Sequence, residues 1–554
     1  MSLASESTSP YGPTLDEYLD LQNLQLHKPN SHSSAGLPSR EEIRQAILHL
    51  SEPEKVTYLT FEIILSLEKK PVCSNLDLLL SESAKASLPA CFRLVSAYCK
   101  GGRLIFGHAY GFLCVKVISL FVQFAMLSRT GYRNGLDEML ASDRGEQSIF
   151  LEFTTTTYAM MVGLMEDQLD SGPSARHDLF GWQDSSLDGG KICLSEIGGC
   201  TAGQIQFLLR QLWDSRAEFV SCGARGRAVL FPGFSGFLCW IWSGVAQQHG
   251  LPGTRQTPTP AWTQLVDLSI RFTLYCNDQE ADLVSFVLLA CPGSARDGPI
   301  LNRSNSAVNT QDATQIATLT PVTIGSNKSL PLRMVTTLFC FACPSVNYEQ
   351  NISNIFSAKL ERLWFELDQR HNPELSEKDL PFYCQGFLHV LTAMQDRNPR
   401  SFLSLLSSIS EELYEAVGRI ILLPLSLSGL FQSPSSLDNL KLLFQTTSVY
   451  VRDMYARTTI EPPIDFPIRT FPIWNKVLSQ LRFLELFQSK HRGPVAEYIK
   501  SWSDAWSSTA IWFEGKKPFG GAIVVEDANK LIGSCPETLI KPYAEFLPAQ
   551  RDPR

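Results

Sequence analysis

Apolar residues recur at helical spacing in one segment after another along nearly the whole chain, and this succession constrains the fold more than any other feature. The segments lie at about 75–100, 104–128, 147–169, 203–221, 262–276, 280–290, 348–369, 377–396, 399–422, 435–456, 470–489 and 495–513. Pro, Gly and Ser separate them, the residues that punctuate helices. Ser39-Arg-Glu-Glu42 is a capping box, in which the serine and the glutamate three positions on satisfy each other's backbone donors. Ile43, Ala46, Ile47 and Leu50 then follow at helical spacing. Ser51-Glu-Pro-Glu54 repeats the device, with Pro53 pre-set for a first turn and Val56, Leu59, Ile63 and Leu67 behind it. Two helices joined by so little chain predict an αα-hairpin.

The expected fold is all-α: an irregular, armadillo-like α-solenoid of stacked antiparallel helix pairs. Strand-like alternation is confined to 191–195, after Asp188-Gly-Gly190, and to 522–526, which predict one or two small β-hairpins. No residue pattern recurs at a fixed period, so any repeats have diverged. The 19% charged fraction, against a usual value of about 25%, fits helices that neighbours cover on two sides. Six stretches follow. Residues 1–38 read as a disordered N-terminal arm and 39–169 as a helical block. Residues 170–203 read as a Gly-rich loop region, 204–291 as a middle helical block, 292–330 as a polar Ser/Thr/Asn-rich loop, and 331–554 as a C-terminal helical block.

Charge narrows the function classes. With 48 basic and 56 acidic residues the net charge is −8, so bulk attraction to a polyanion is excluded as a driving force. The basic runs Lys69-Lys70, Lys490-His491-Arg492 and Lys516-Lys517 fall at helix ends, where cations favour the dipole, and no nucleic-acid partner is expected. The start Met1-Ser-Leu-Ala-Ser-Glu lacks the basic and apolar regions of a signal peptide, which predicts an intracellular protein, cytoplasmic or nuclear. Cysteines in apolar settings, such as Cys114 and Cys239, are expected as reduced core residues. Residues 104–127 are apolar enough to suggest membrane association, but His108, Lys116, Ser119 and Gln123 fall on one side of a helix. A buried helix is the favoured reading.

Four motifs carry possible chemistry. Gly198-Gly-Cys-Thr-Ala-Gly203 has phosphate-loop glycine spacing, yet Gln204 and Ile205 stand where lysine and a magnesium-holding hydroxyl belong, so a flexible helix entry is expected instead. Gly233-Phe-Ser235-Gly236-Phe237 approximates a nucleophile elbow with its second glycine displaced, which makes Ser235 the nucleophile of an alternative serine hydrolase reading. Cys340-Phe-Ala-Cys343 has no second cysteine pair and sits among apolar neighbours, so core packing is expected rather than a metal or redox centre. Tyr498, Trp502 and Trp506 lie four apart on one helical face with Trp512 close behind, and form the candidate partner-binding stripe. Docking within the fold competes with that reading. The leading expectation is a non-catalytic interaction or scaffold protein with a protein partner and no cofactor or metal.

Overall fold

The computed structural model describes residues 9–26, 37–69, 73–129, 180–184, 191–226, 233–250, 259–289, 291, 307–327, 330–343 and 349–368. Beyond these it describes one helical run, 475–483, and single helical positions between 386 and 504. The expected hairpin at 522–526 and the segments at 147–169 and 435–456 lie outside the described residues. The chain divides into two compact units, Met1–Ser345 and Val346–Arg554, so helix Leu332–Ala342 belongs to the first unit and not to a block beginning at 331.

Among its described residues the first unit is helical with one small sheet. Its longer helices are α1 (Leu15–Leu26), α2 (Arg40–His49), α3 (Tyr58–Lys69), α4 (Ser87–Lys100), α5 (Ala109–Arg129), α6 (Ala202–Asp214), α7 (Arg216–Gly226), α8 (Phe234–His249), α9 (Pro260–Thr273), α10 (Asp278–Leu289), α11 (Thr310–Ser326) and α12 (Leu332–Ala342). The helices stack mostly on near neighbours in the chain: α2 on α3, α3 and α4 on α5, α6 and α9 on α8, and α11 on α12. Strands β1 (Gln183–Asp184), β2 (Lys191–Cys193) and β3 (Cys200–Thr201) form an antiparallel sheet in that order, with Ile192 opposite Thr201 and Cys193 opposite Cys200.

Helix α2 starts where its sequence says it should. Ser39 Oγ accepts from the Glu42 N–H at 3.3 Å, and the Ser39 N–H donates to Glu42 Oε2 at 2.7 Å. The expected second box does not form. Pro53–Lys55 makes a 3-10 turn closed by a Glu52–Lys55 ion pair, and α3 begins only at Tyr58.

Two largely apolar helices supply much of the buried core of this unit. Residues 109–127 of α5, Lys116 excepted, and 234–245 of α8 are buried, as in helices enclosed by neighbours, and the two helices pack on each other. Helix α5 is long and apolar enough to cross a membrane, but 89% of its apolar window is covered by the fold. Its polar stripe is an internal seam rather than a wet face. Lys116 pairs with Glu68 at 3.0 Å, Gln123 donates to Ser119 at 2.9 Å, and His108 Nδ1 lies 3.0 Å from the Tyr98 hydroxyl. Each polar group meets a partner before it costs its desolvation. The anchor reading of 104–127 is thus replaced by that of a core helix.

Two segments expected as loops are ordered. Residues 9–26, assigned to a disordered arm, are strapped to the fold: the Tyr58 N–H donates to Pro10 O, Ala109 N–H to Pro13 O and Tyr110 N–H to Tyr11 O, at 3.3, 3.0 and 3.1 Å. Arg103 lies 4.5 Å over the Tyr11 ring, and Leu15 and Leu19 of α1 are buried. Gly12 makes the bend at φ +73, where a Cβ would strike the Tyr58 ring at 2.8 Å. Residues 310–326, inside the expected polar loop of 292–330, form α11. Asn309 caps it by accepting the Asp312 N–H at 2.9 Å, and Ile316, Ala317, Thr320 and Ile324 bury one face. Threonine hydroxyls at 314, 318 and 320 donate back to carbonyls four residues earlier, so these side chains need no other partner.

In the second unit, α13 (Glu349–Asp368) buries Ile352, Ile355, Phe356, Leu360 and Leu363. Arg362 donates to Glu366 one turn on, at 2.8 Å through Nε.

Candidate functional site

Helices α4 and α6 leave a groove of about 400 Å³ between them, lined by Phe92, Arg93, Ser96, Thr201, Gly203, Gln204 and Phe207. Its walls are an aromatic floor and a polar rim. Phe92 is buried, with its ring 6.4 Å from that of Trp240 on α8, which fixes the floor to the core. Phe207 is half-buried, and Arg93 is exposed with no ion pair among the described residues. One edge of the groove thus offers apolar area while the other offers a guanidinium.

The sheet delivers the α6 end of the groove. Strand β3 ends at Thr201, the N-cap of α6, and the chain enters the helix through a second capping box. Thr201 Oγ1 accepts the Gln204 N–H at 3.2 Å, and Gln204 Oε1 accepts the Thr201 N–H at 2.9 Å. Gln204, which stands where a phosphate loop needs lysine, is therefore a capping residue. The helix entry is ordered rather than flexible. Partial positive charge remains at this helix end, where it favours an anionic group by about 0.3–1 kcal/mol. Gly203 faces open space: a Cβ there would meet only Thr201 Oγ1, at 3.9 Å.

Ser235 is not an exposed nucleophile. It is the second residue of α8, fully buried, and its hydroxyl donates to Glu280 Oε1 at 3.5 Å rather than to an imidazole. An elbow holds its serine out at a strand-to-helix turn, whereas here Gly233, at φ +72, opens a helix with no strand described before it. Burial pushes the Glu280 carboxyl up to about 8, opposed by backbone N–H groups of Ser235, Gly233 and Phe234 that point at it. The carboxyl caps α8 from a neighbouring helix. The serine hydrolase reading loses its base and its access together.

A second buried polar cluster joins four helices. Arg271 on α9 is fully buried and forks onto Asp312 of α11, with Nη1 to Oδ1 at 2.7 Å and Nη2 to Oδ2 at 3.1 Å. Its Nε donates to Asp267 one turn back at 2.5 Å, and Arg216 of α7 lies 3.8 Å from the other Asp267 oxygen. The Arg271 guanidinium also lies over the Phe341 ring of α12 at 5.6 Å. Two cations and two anions leave the cluster neutral, and every member of the Arg271–Asp312 fork is saturated, so this is a clasp rather than a site. Burial raises the Asp267 carboxyl above its usual range, against the pull of Arg271.

Cys340 and Cys343 are buried at the end of α12, as core packing requires. Tyr498, Trp502, Trp506 and Trp512 lie outside the described residues; at the positions between them, Ile499 and Ser503 are buried and Lys500 and Asp504 exposed. The groove itself went unread in the sequence, because its walls come from segments more than a hundred residues apart. A local signal existed only for Thr201–Gln204, a Thr-x-x-Gln box before an apolar run.

No protein-family model matches this chain, and no curated protein matches it. Among solved structures it aligns over 86% of its length, and 98% of the other chain, with a circular tandem repeat protein with novel repeat topology and enhanced subunit contact surfaces. The two are 12% identical and superpose with a TM-score of 0.19, too loosely to carry any argument about this fold or its use.

Proposed function

We propose that this chain is a non-catalytic interaction protein that holds a short segment of a protein partner in the groove between α4 and α6. One observation carries the reading: the groove is lined by the side chains of Phe92 and Phe207 together with the exposed Arg93 and the capped N-terminus of α6. Aromatic surface next to unopposed positive charge suits a peptide that offers a bulky apolar side chain flanked by carboxylates. Ser235, Glu280 and Arg271, the groups with the most suggestive chemistry, are engaged in holding helices together. Their engagement supports recognition over reaction as the reading of the groove.

The test is a peptide-display selection on the full chain, run beside a Gly203→Phe chain whose groove is filled. Gly203 tolerates a side chain because no core atom lies near its Cβ position. Enrichment of peptides that pair an aromatic or long aliphatic residue with Asp or Glu, lost on the filled chain, supports the reading. Equal enrichment on both chains, or none on either, overturns it.

A further inference from the structure

Cys193 on β2 and Cys200 on β3 stand directly opposite each other, with their sulfurs 3.4 Å apart. The Gly199 N–H donates to Leu194 O at 3.0 Å and the Leu194 N–H to Phe180 O at 3.1 Å, which closes the short loop between the two cysteines. Residues directly opposite each other on antiparallel strands have Cα atoms about 4.5–5.5 Å apart, within the range that a disulfide spans. Both side chains are buried with their sulfur atoms in contact, so bond formation needs side-chain rotation and no rearrangement of the strands. The hairpin between them is held in shape independently. Leu194 sits at φ 54 and Gly198 at φ +96 against Lys85 O and Pro89, and Glu196 pairs with Arg129 at 3.3 Å. That frame keeps the thiols facing each other whichever bond they make.

We infer that Cys193 and Cys200 form a reversible dithiol–disulfide site whose oxidant is a small-molecule disulfide of the glutathione class. The thiolate of one cysteine attacks glutathione disulfide, forms a mixed disulfide and expels one glutathione thiolate. The second thiolate then attacks the protein sulfur of that mixed disulfide and expels the other. Two protein thiols lose two protons and two electrons in all, and one glutathione disulfide becomes two glutathione thiols. Burial and the contact with Cys193 hold the Cys200 thiol well above its usual range, so the closed hairpin is the unreactive form. Exchange therefore proceeds when the strands, only two or three residues long, open locally. Closure afterwards holds the two sulfurs at high effective concentration, which favours the disulfide. Cys200 immediately precedes Thr201, so the bond tethers the strand that feeds the N-cap of α6 on the groove rim; the inference stands whether or not the groove binds a peptide.

The measurement equilibrates the full chain in graded ratios of reduced to oxidised glutathione, quenches with acid, alkylates free thiols and digests with trypsin. Cleavage after Lys191 and Arg210 gives one peptide that carries both cysteines and no others. This peptide is expected in an unalkylated form two hydrogens lighter than the dithiol. Its conversion is expected at about tenfold less glutathione disulfide than the same peptide needs in a guanidinium-denatured chain. Cys200→Ala should then show Cys193 as a glutathione adduct instead. Double alkylation across the whole range, a stable adduct on either cysteine of the unaltered chain, or equal conversion in the folded and denatured chains overturns the inference.

Discussion

Ser235 and Glu280 meet at 3.5 Å inside the fold, where a buried carboxyl on α10 caps the first turn of α8. The meeting accounts for a serine in an elbow-like sequence that has no catalytic setting. It also ties the stability of the central helix to a single proton.

Burial raises Glu280 to about 8, whereas in the unfolded chain it ionises near 4.5. Between these values the folded form holds a proton that the unfolded form has lost. The contribution is therefore full below pH 4.5 and is lost as pH rises through 8, at up to about 1.4 kcal/mol per pH unit. Denaturant midpoints measured from pH 5 upward should fall for the unaltered chain, and Glu280→Gln should flatten that fall. A chain that grows more stable with pH over this window contradicts the assignment.

Arg271→Met leaves Asp267 and Asp312 buried beside each other with one cation fewer. The expected cost is about 3–5 kcal/mol in denaturant unfolding of the first unit. Adding Asp312→Leu removes the stranded carboxylate as well, and the double variant should be less destabilised than Arg271→Met alone. Strict additivity of the two changes would mean that the fork is not a coupled pair.

Glycines 198 and 203, five residues apart, should respond oppositely to alanine. Gly198 sits at φ +96 with a Cβ position 2.3 Å from Lys85 O, so Gly198→Ala should destabilise by about 1–3 kcal/mol. Gly203 has ordinary backbone angles and open space, and Gly203→Ala should stabilise by up to about 1 kcal/mol. Thermal melts of the two variants read the difference directly.

Part of the fold is legible in the sequence and part is not. The Ser39–Glu42 box, the helices near 262–276, 280–290 and 348–369, and the strand at Lys191 follow from periodicity and capping, which are local. Helix α11 escaped because five threonines and Pro321 depress helix propensity over 310–326. What holds it is tertiary: Asp312 meets Arg271 forty-one residues away, and Thr323 Oγ1 donates to Leu274 O at 2.7 Å. The strap at 9–14 escaped for the same reason, since a Ser- and Pro-rich stretch shows no period and its partners lie at 58 and 107–110. The groove is the extreme case. Phe92 and Phe207 are ordinary core-face residues of two separate helices until the stacking brings them to one hollow.

Isothermal titration of the peptide enriched on the full chain, against the unaltered protein, Arg93→Glu and Gly203→Phe, bears most directly on the claim that the groove is a recognition site. The account predicts saturable one-to-one binding to the unaltered chain, weakened at least about tenfold, or about 1.4 kcal/mol, by either substitution. Melting temperatures should stay close to that of the unaltered chain, because neither side chain enters the core. Affinity indifferent to both substitutions would contradict it.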